Sequence, residues 1–292
     1  MKERVRYRRR GTPDLPIATY IGIAGGNMTV ASHSDYHPET EIVLQVAGTT
    51  TGQIGDQVYT FRAGDIWTIP GGTPHQRIGF SEDAVVHRIV FFPEAITMHP
   101  GHFFQKEFVQ PLSEDRLELP RLLQPGHPCY NAVRDALMEL ESCRIYEANY
   151  KQHRLSVLMR ICLAIMPYCR IKEDTPVITD PGHSGVKLCM RYIHNHYAEK
   201  LTLEDIAHYC HLHPSYLCAA FKQYTGQSVF DYLTKIRVET AAQLLLREDL
   251  PVSKVAELSG FHSECFFYKK FKAHTGMTPK TYQKHHRNQS AK

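Results

Sequence analysis

The twelve residues FKQYTGQSVFDY, beginning at Phe221, return fifty positions later as FKAHTGMTPKTY, beginning at Phe271. Phe-Lys, Thr-Gly, a hydroxyl residue and a Tyr keep their spacing while the residues between them change. Such a duplication constrains the fold more than composition does, because a unit that occurs twice has to be a small supersecondary element that packs in both settings. The echo extends upstream, where LTLEDIA from Leu201 aligns with LPVSKVA from Leu250 at an offset of 49. One inserted residue accounts for the change of offset and sets Leu217 against Phe267 and Phe221 against Phe271.

Each copy contains the pieces of a helix-turn-helix. Thr202 with Asp205 three residues on forms a capping box, and Ile206 and Ala207 face inward, the Ala letting a second helix cross closely. His211 and Gly260 fall in the turn, where a left-handed backbone suits Gly and is tolerated by His. The next helices run from about Pro214 to Tyr224 and from Ser263 to His274. Gly226 and Gly276 stand where a helix ends in a left-handed residue, and Thr278 followed by Pro279 starts a further helix. In the second copy Phe267, Lys270 and Phe271 share the inward face, so Glu264, Cys265, Tyr268, Lys269 and Lys272 face out. The matching outward set in the first copy is Pro214, Ser215, Cys218, Ala219 and Lys222. FDYLTKIRVETAAQLLLRE, about residues 230–248, reads as the connecting helix, with Leu233, Ile236, Ala241 and Leu245 inward.

Residues 186–286 resemble the DNA-binding domain of the AraC/XylS family of transcription regulators, and VAELSGFHSECFFYKKFKAHTGMTPKTY carries that family's second-motif signature. The resemblance implies an all-α, bi-lobed domain of seven helices. Its two recognition helices would enter successive major-groove segments of double-stranded DNA about one helical turn, roughly 34 Å, apart. Carried onto this chain, the DNA-facing residues are Ser215, Cys218, Ala219 and Lys222 on the first helix and Ser263, Glu264, Cys265, Tyr268, Lys269 and Lys272 on the second. Lys222 and Lys272 suit phosphates. Lys269 can donate to guanine O6 and N7, and Glu264 can accept from cytosine N4, while Tyr268 and Cys265 can instead pack at the rim of the interface. The first motif departs from the family pattern. His213 stands where Ser commonly caps the helix, and Cys218 and Ala219 replace long polar residues, so shape, phosphate contacts or an apolar touch to a thymine methyl are expected there.

Charge agrees with a polyanionic partner at this end: residues 185–292 hold 15 Lys and Arg against 9 Asp and Glu, and the remainder 19 against 21. The eight cysteines, at 129, 143, 162, 169, 189, 210, 218 and 265, include no C-x-x-C pair. That fits reduced thiols, not a disulfide frame or a zinc site. MKERVRYRRRG is basic like the start of a secretion signal, but TPDLPIATY follows in place of an apolar run, and no segment reaches membrane-spanning length. A cytoplasmic protein with no membrane partner is expected.

Residues 15–95 interleave short β-branched and aromatic runs with Gly and Pro, the signature of a small β-sandwich or barrel. HPETEIVLQVAG (His37–Gly48) followed by GDIWTIPGGTPH (Gly64–His75) resembles the two motifs of the cupin barrel. In AraC-type regulators such a barrel holds a small effector. His37, Glu39, Trp67, His75 and Arg88, with His87 as an alternative to Arg88, are therefore the candidate effector-binding residues, suited to a sugar or other polar metabolite. Trp67 either stacks on a sugar face or is plain core. Enzymatic cupins hold a metal on H-x-H, a following Glu and a distant His. Here Glu39 takes the second His position and Glu41 follows too soon, so no metal ligand and no cofactor is assigned, although a His/Glu/His set can hold a divalent ion.

Beyond Asn131 apolar residues recur at Val133, Leu137 and Leu140, then at Leu155, Leu158, Ile161 and Ile165, marking two amphipathic helices that either dimerise the chain or pack on the barrel. RIKEDTPVITDPGHSG, residues 170–185, reads as an interdomain linker. The fold class is thus α+β multidomain: a cupin-like barrel over 11–100, a helical dimerisation segment over 101–169, the linker, and a DNA-binding domain over 186–286. Within that domain the helix-turn-helix motifs span 201–224 and 250–274, around a linker helix at 230–248. The function expected is a sequence-specific transcription regulator, an activator answering a small effector, binding as a homodimer and contacting RNA polymerase. The alternative is a metal-dependent cupin enzyme fused to a DNA-binding domain. The first ten residues read as a loose basic tail or as an arm that folds over the barrel or reaches the DNA-binding domain when effector is absent.

Overall fold

The computed structural model describes residues 15–30, 35, 37–141, 149–172, 181–247 and 250–290. The basic tail or arm lies outside them. The chain divides into two compact units, Pro13–Val177 and Ile178–Lys292. The division falls inside the stretch read as linker, but both ends of that stretch are structured. Arg170–Ile171 pairs with Leu117–Glu118, and a helix begins at Pro181, while residues 173–180 are outside those described.

In the N-terminal unit, β1 (Ile17–Ile23), β2 (Thr40–Ala47), β5 (Ile66–Ile69), β7 (Val85–Phe91) and β9 (Leu122–Leu123) form an antiparallel sheet in the order β1-β7-β2-β5-β9. A second antiparallel sheet has the order β4-β3-β6, from β3 (Thr49–Ile54), β4 (Gln57–Arg62) and β6 (His75–Phe80). The β8–β10 pair is Leu117–Glu118 with Arg170–Ile171. Side-chain alternation decides what each face of the larger sheet buries. Ile42 and Leu44 join Ile17, Ile66, Ile89 and Phe91 in a core shared with helices, whereas Val43, Trp67, Ile69 and Val86 meet Phe61 and Met28 in a second core between the sheets. Because both faces are covered, the first six residues of β2 are all buried, and EIVLQV lacks the polar alternation of a one-sided strand.

The helices of this unit are α1 (Gln110–Ser113), which continues a π-helical turn at Gln105–Val109, α2 (Tyr130–Met138) and α3 (Tyr150–Ile165). Val133, Ala136 and Leu137 of α2 pack with Val157, Leu158, Ile161, Cys162 and Ile165 of α3 in the first core. The apolar stripe is thereby used against the sheet. Leu155, read from sequence as part of that stripe, is instead 38% exposed on its outer flank. The inward position in the first turn belongs to Arg154, which is buried with its guanidinium 5.5 Å from the Tyr150 ring.

The C-terminal unit is helical throughout: α4 (Pro181–His196), α5 (Leu203–Tyr209), α6 (Pro214–Thr225), α7 (Val229–Arg247), α8 (Val252–Leu258), α9 (Glu264–Thr275) and α10 (Pro279–Ser290). Buried residues along α7 run Val229, Tyr232, Leu233, Ile236, Val238, Ala241, Ala242 and Leu245, a pattern too wide for one face. The helix is covered from two sides. Its first half meets Phe221 edge-on through Tyr232 at 5.6 Å, and its second half packs with Val255, Phe267 and Phe271. Arg237, midway, donates from Nε to the Tyr197 carbonyl and from Nη2 to the Glu199 carbonyl, both at 2.7 Å. Among the described residues no helix is long and apolar enough to cross a membrane, and cysteines 129, 162, 169, 189, 210, 218 and 265 are free thiols.

Candidate functional site

The two copies of the repeat are built with the same hydrogen bonds. Asp205 N donates to Thr202 Oγ1 at 3.1 Å and Thr202 N to Asp205 Oδ2 at 3.2 Å, the capping box that starts α5. The helix closes with His211 N to His208 O and Leu212 N to Ala207 O; α8 closes with Gly260 N to Glu257 O and Phe261 N to Ala256 O, the same two carbonyls in repeat register. This closure needs a left-handed residue after the helix, and both have one, His211 at φ 55° and Gly260 at φ 83°. Gly260 has a second constraint: a Cβ there would stand 2.4 Å from the Tyr197 carbonyl and 2.9 Å from Arg237 Nε. Gly226 and Gly276, at φ 71° and 77°, end α6 and α9.

Each second helix pins an apolar face and leaves a polar one in solvent. On α6, Leu217, Ala220 and Phe221 are buried while Ser215, Cys218, Ala219 and Lys222 are exposed. On α9, Phe267 and Phe271 are buried, and Ser263, Glu264, Cys265, Lys269 and Lys272 are exposed. Tyr268 is half-buried and packs against the lobe's core, edge-on to Phe267 at 5.8 Å. Ser263 accepts from Phe266 N at 3.4 Å and caps α9. His213 caps nothing through its side chain and instead lies 2.7 Å from Ser215 Oγ through Nδ1, so it orients one of the candidate contact residues. Two residues were missed. Tyr216 and Phe266, equivalent in the repeat, are 44% and 46% exposed beside the polar faces. Their apolar character points to the core, and only the position immediately before Leu217 and Phe267 could have placed them outside. Lys270, assigned to the inward face, is half-buried with its ammonium 5.4 Å from the Phe266 ring.

A separate polar cluster lies in the N-terminal unit. Glycines bring its parts together: a Cβ on Gly71 would stand 2.0 Å from the Pro38 carbonyl, and Gly72, at φ 73°, donates its N–H to His37 O at 2.7 Å. Asp35 and His75 are bridged by backbone bonds of 2.6 and 3.0 Å. His37 lies between two carboxylates, Nδ1 at 3.2 Å from Glu39 Oε2 and Nε2 at 3.1 Å from Glu41 Oε1, all three residues being buried. His75 Nε2 is 4.0 Å from the same Glu41 oxygen, and its Nδ1 is 2.9 Å from Thr73 O. Arg88 reaches Glu41 Oε2 at 3.4 Å and sits 4.6 Å from the Tyr20 ring. Asp35, His37 and His75 each bring one donor atom within 4.8 Å of the others, a spacing that admits a metal ion.

The cluster gathers His37, Glu39, His75 and Arg88 of the expected effector set around Glu41. Trp67 pairs with Val43, which also faces Arg88 across β2; its ring is 5% exposed and stacked on Phe61 at 3.8 Å and 5°, which leaves one indole face covered by this core. His87 points to the opposite face of the sheet, where Nδ1 meets Leu137 O at 3.3 Å. Burial alone would raise the Glu41 carboxyl, but Arg88, His37 and His75 outweigh it and hold the group well below its usual range. Burial lowers His75, with Glu41 acting in the opposite sense, so the ring is kept toward its neutral form.

A helix-turn-helix domain profile matches residues 206–285, and a cupin domain profile matches residues 20–89. The chain is similar to the uncharacterized HTH-type transcriptional regulator YdeC of Bacillus subtilis (strain 168), 24% identical over 293 residues, covering 97% of this chain and 96% of that protein. It is 36% identical over 92 residues to a second regulator of that organism, YobQ, covering 32% of this chain and 38% of YobQ. To the raffinose operon transcriptional regulatory protein RafR of Pediococcus pentosaceus it is 25% identical over 229 residues, 76% of each chain.

Proposed function

The chain belongs to the AraC/XylS family of DNA-binding transcription regulators and is a non-enzymatic protein, and from that premise we propose that it is a cytoplasmic, effector-responsive activator acting as a homodimer. The observation that carries the DNA-reading half is the pair of exposed polar helix faces on α6 and α9, held on one connecting helix with their apolar faces fully buried. Lys222 and Lys272 supply phosphate contacts, and Ser263, Glu264, Cys265 and Lys269 read base edges, with Tyr268 supporting them from the rim. Ser215, Cys218 and Ala219 are too short to reach far, so α6 follows groove shape more than base identity.

The barrel is the sensor in this reading. A preformed cluster of convergent polar side chains inside a β-barrel is the usual makeup of a small-molecule site, which supports His37, Glu39, His75 and Arg88 as effector contacts. RafR is named for a raffinose operon, which favours a hydroxyl-rich metabolite as the class to test first. Effector occupancy shifts DNA affinity by a coupling of about 1–3 kcal/mol. Activation proceeds through contact with RNA polymerase, as expected of the family. The enzyme alternative is set aside, since the relatives above are all named as regulators.

The test is fluorescence anisotropy on operator and random duplexes over a salt series, the operator being selected from a random pool with the purified chain. Lys269→Ala is expected to lose about 1–3 kcal/mol on the operator and far less on random DNA. Equal loss on both would reduce Lys269 to a phosphate contact, and no salt-dependent binding by the parent chain would end the reading.

A further inference from the structure

We infer that Cys189 and Cys210 form an oxidisable dithiol inside the first helix-turn-helix lobe, closed to an intrachain disulfide by a hydroperoxide. Cys189 lies on α4, and Cys210 is the residue that ends α5. Their side chains are hydrogen-bonded to each other, Cys189 fully buried and Cys210 4% exposed. Gly185, one helical turn before Cys189 and on the same face of α4, has no room for a Cβ, which would stand 2.2 Å from Leu212 Cδ1, two residues past Cys210. The helix and the turn after α5 thus meet without slack, and the two sulfurs lie inside that contact.

The state of the pair selects its reaction. The hydrogen bond to Cys210, and burial after it, push the Cys189 thiol up, so Cys189 is a neutral donor and Cys210 Sγ accepts its S–H. Holding Cys189 as a thiolate, as a bound metal ion requires, places charge in a buried site, whereas a disulfide carries none. Other thiols are engaged differently. Cys129 Sγ lies 3.2 Å from His127 Nδ1, Cys169 Sγ donates to the Ile165 carbonyl at 3.4 Å, and Cys218 and Cys265 are exposed on α6 and α9.

Cys210, which keeps an edge in solvent, meets the oxidant first. Its sulfur gives up its proton and attacks the outer oxygen of the hydroperoxide; the O–O bond breaks, the alcohol leaves with that proton, and Cys210 becomes a sulfenic acid. The Cys189 sulfur, already in contact, attacks the Cys210 sulfur, the S–O bond breaks, and hydroxide departs as water with the Cys189 proton. Two thiols lose two electrons, and the hydroperoxide is reduced to alcohol and water. The sulfur contact then shrinks to a bond of about 2.05 Å, drawing the end of α5 onto α4. Leu212 has no slack against Gly185, so the displacement passes into the turn, where His211 already holds φ 55°, and on to α6. Misplacing α6 weakens operator binding, a consequence that rests on the proposed DNA-reading role of that helix.

The reduced full chain is treated with one equivalent of tert-butyl hydroperoxide, its remaining thiols are alkylated, and a non-reduced digest is mapped by tandem mass spectrometry. A Cys189–Cys210 link is expected, reversed by dithiothreitol and absent from Cys189→Ala and Cys210→Ala. Cys210 and Cys218 share one tryptic peptide, so fragmentation between them assigns the linked sulfur. Operator affinity of the parent should fall about tenfold on oxidation and return on reduction. Cys189→Ala, which retains the exposed Cys218, should hold its affinity through the oxidant. Circular dichroism reports whether the variants are folded, and should both unfold, the parent's map still decides. No link, or a link through Cys218 in place of Cys210, would overturn the dithiol. A Cys189–Cys210 link with operator affinity unchanged, or an equal loss of affinity in oxidised Cys189→Ala, would remove its regulatory role. Reduced parent with no salt-dependent DNA binding would end the regulator reading and leave the dithiol to its map.

Discussion

Tyr216 and Phe266 occupy one position of the repeat, both aromatic and both about half exposed, at the edge of the polar faces proposed to read DNA. Phe266 touches the buried Phe261 ring, centroids 6.2 Å apart, with part of its surface, while its exposed edge can cover a thymine methyl or a sugar. Phe266→Ala is therefore expected to lower the melting temperature only slightly and to weaken operator binding about fivefold, near 1 kcal/mol, read by anisotropy beside a melting curve. A lowered melting temperature with unchanged affinity would make Phe266 a packing residue. Legibility at this scale was uneven. The polar residues of α9 stand out in sequence because Phe267 and Phe271 fix the inward side. Trp67 does not, since alternation places it inward in either of its readings and only the position of Phe61 shows that one indole face is covered.

At the scale of elements, α7 joins the two motifs, and Arg237 ties it to the loop before α5 through two backbone carbonyls. The turn of the second motif closes on that same loop, Gly260 lying too near Tyr197 and Ala198 to carry a Cβ. The two reading helices are thus held by one shared contact as well as by the helix between them. Arg237→Ala should cost about 1.5–3 kcal/mol of stability in denaturant unfolding, the range for hydrogen bonds to a charged group. On operators with one or two base pairs inserted between the half-motifs, the variant should discriminate less than the parent. Undiminished discrimination would leave spacing to α7 alone. The helices themselves were plain from caps and periodicity, and their observed ends differ from the expected ones by one residue or so. Arg237 was not legible, because its partners are backbone carbonyls forty residues away and a carbonyl has no sequence signature.

For the whole molecule, each unit has its own core, which is why a fragment from residue 178 onward is expected to fold, stay monomeric and bind DNA more weakly than the full chain. Sedimentation should show the full chain as a dimer. Leu155, Met159 and Leu163, at i, i+4 and i+8 on the outer flank of α3, remain outside the first core's fully buried set, and Leu163→Glu is expected to shift the full chain toward monomer without unfolding it. A monomeric parent would remove the dimer from the proposal. What the sequence determined alone was whatever depends on neighbours in the chain: the duplicated motif, its caps and turns, the inward face of each helix, the Gly and Pro spacing of the barrel strands. Only the tertiary structure decided which stripe of α2 and α3 is used against the sheet, that Trp67 is stacked, and that Asp35 and Glu41 join His37 and His75. Those outcomes follow from strand register and close backbone approach between distant segments, and a linear pattern of residues carries no record of which distant face a side chain will meet.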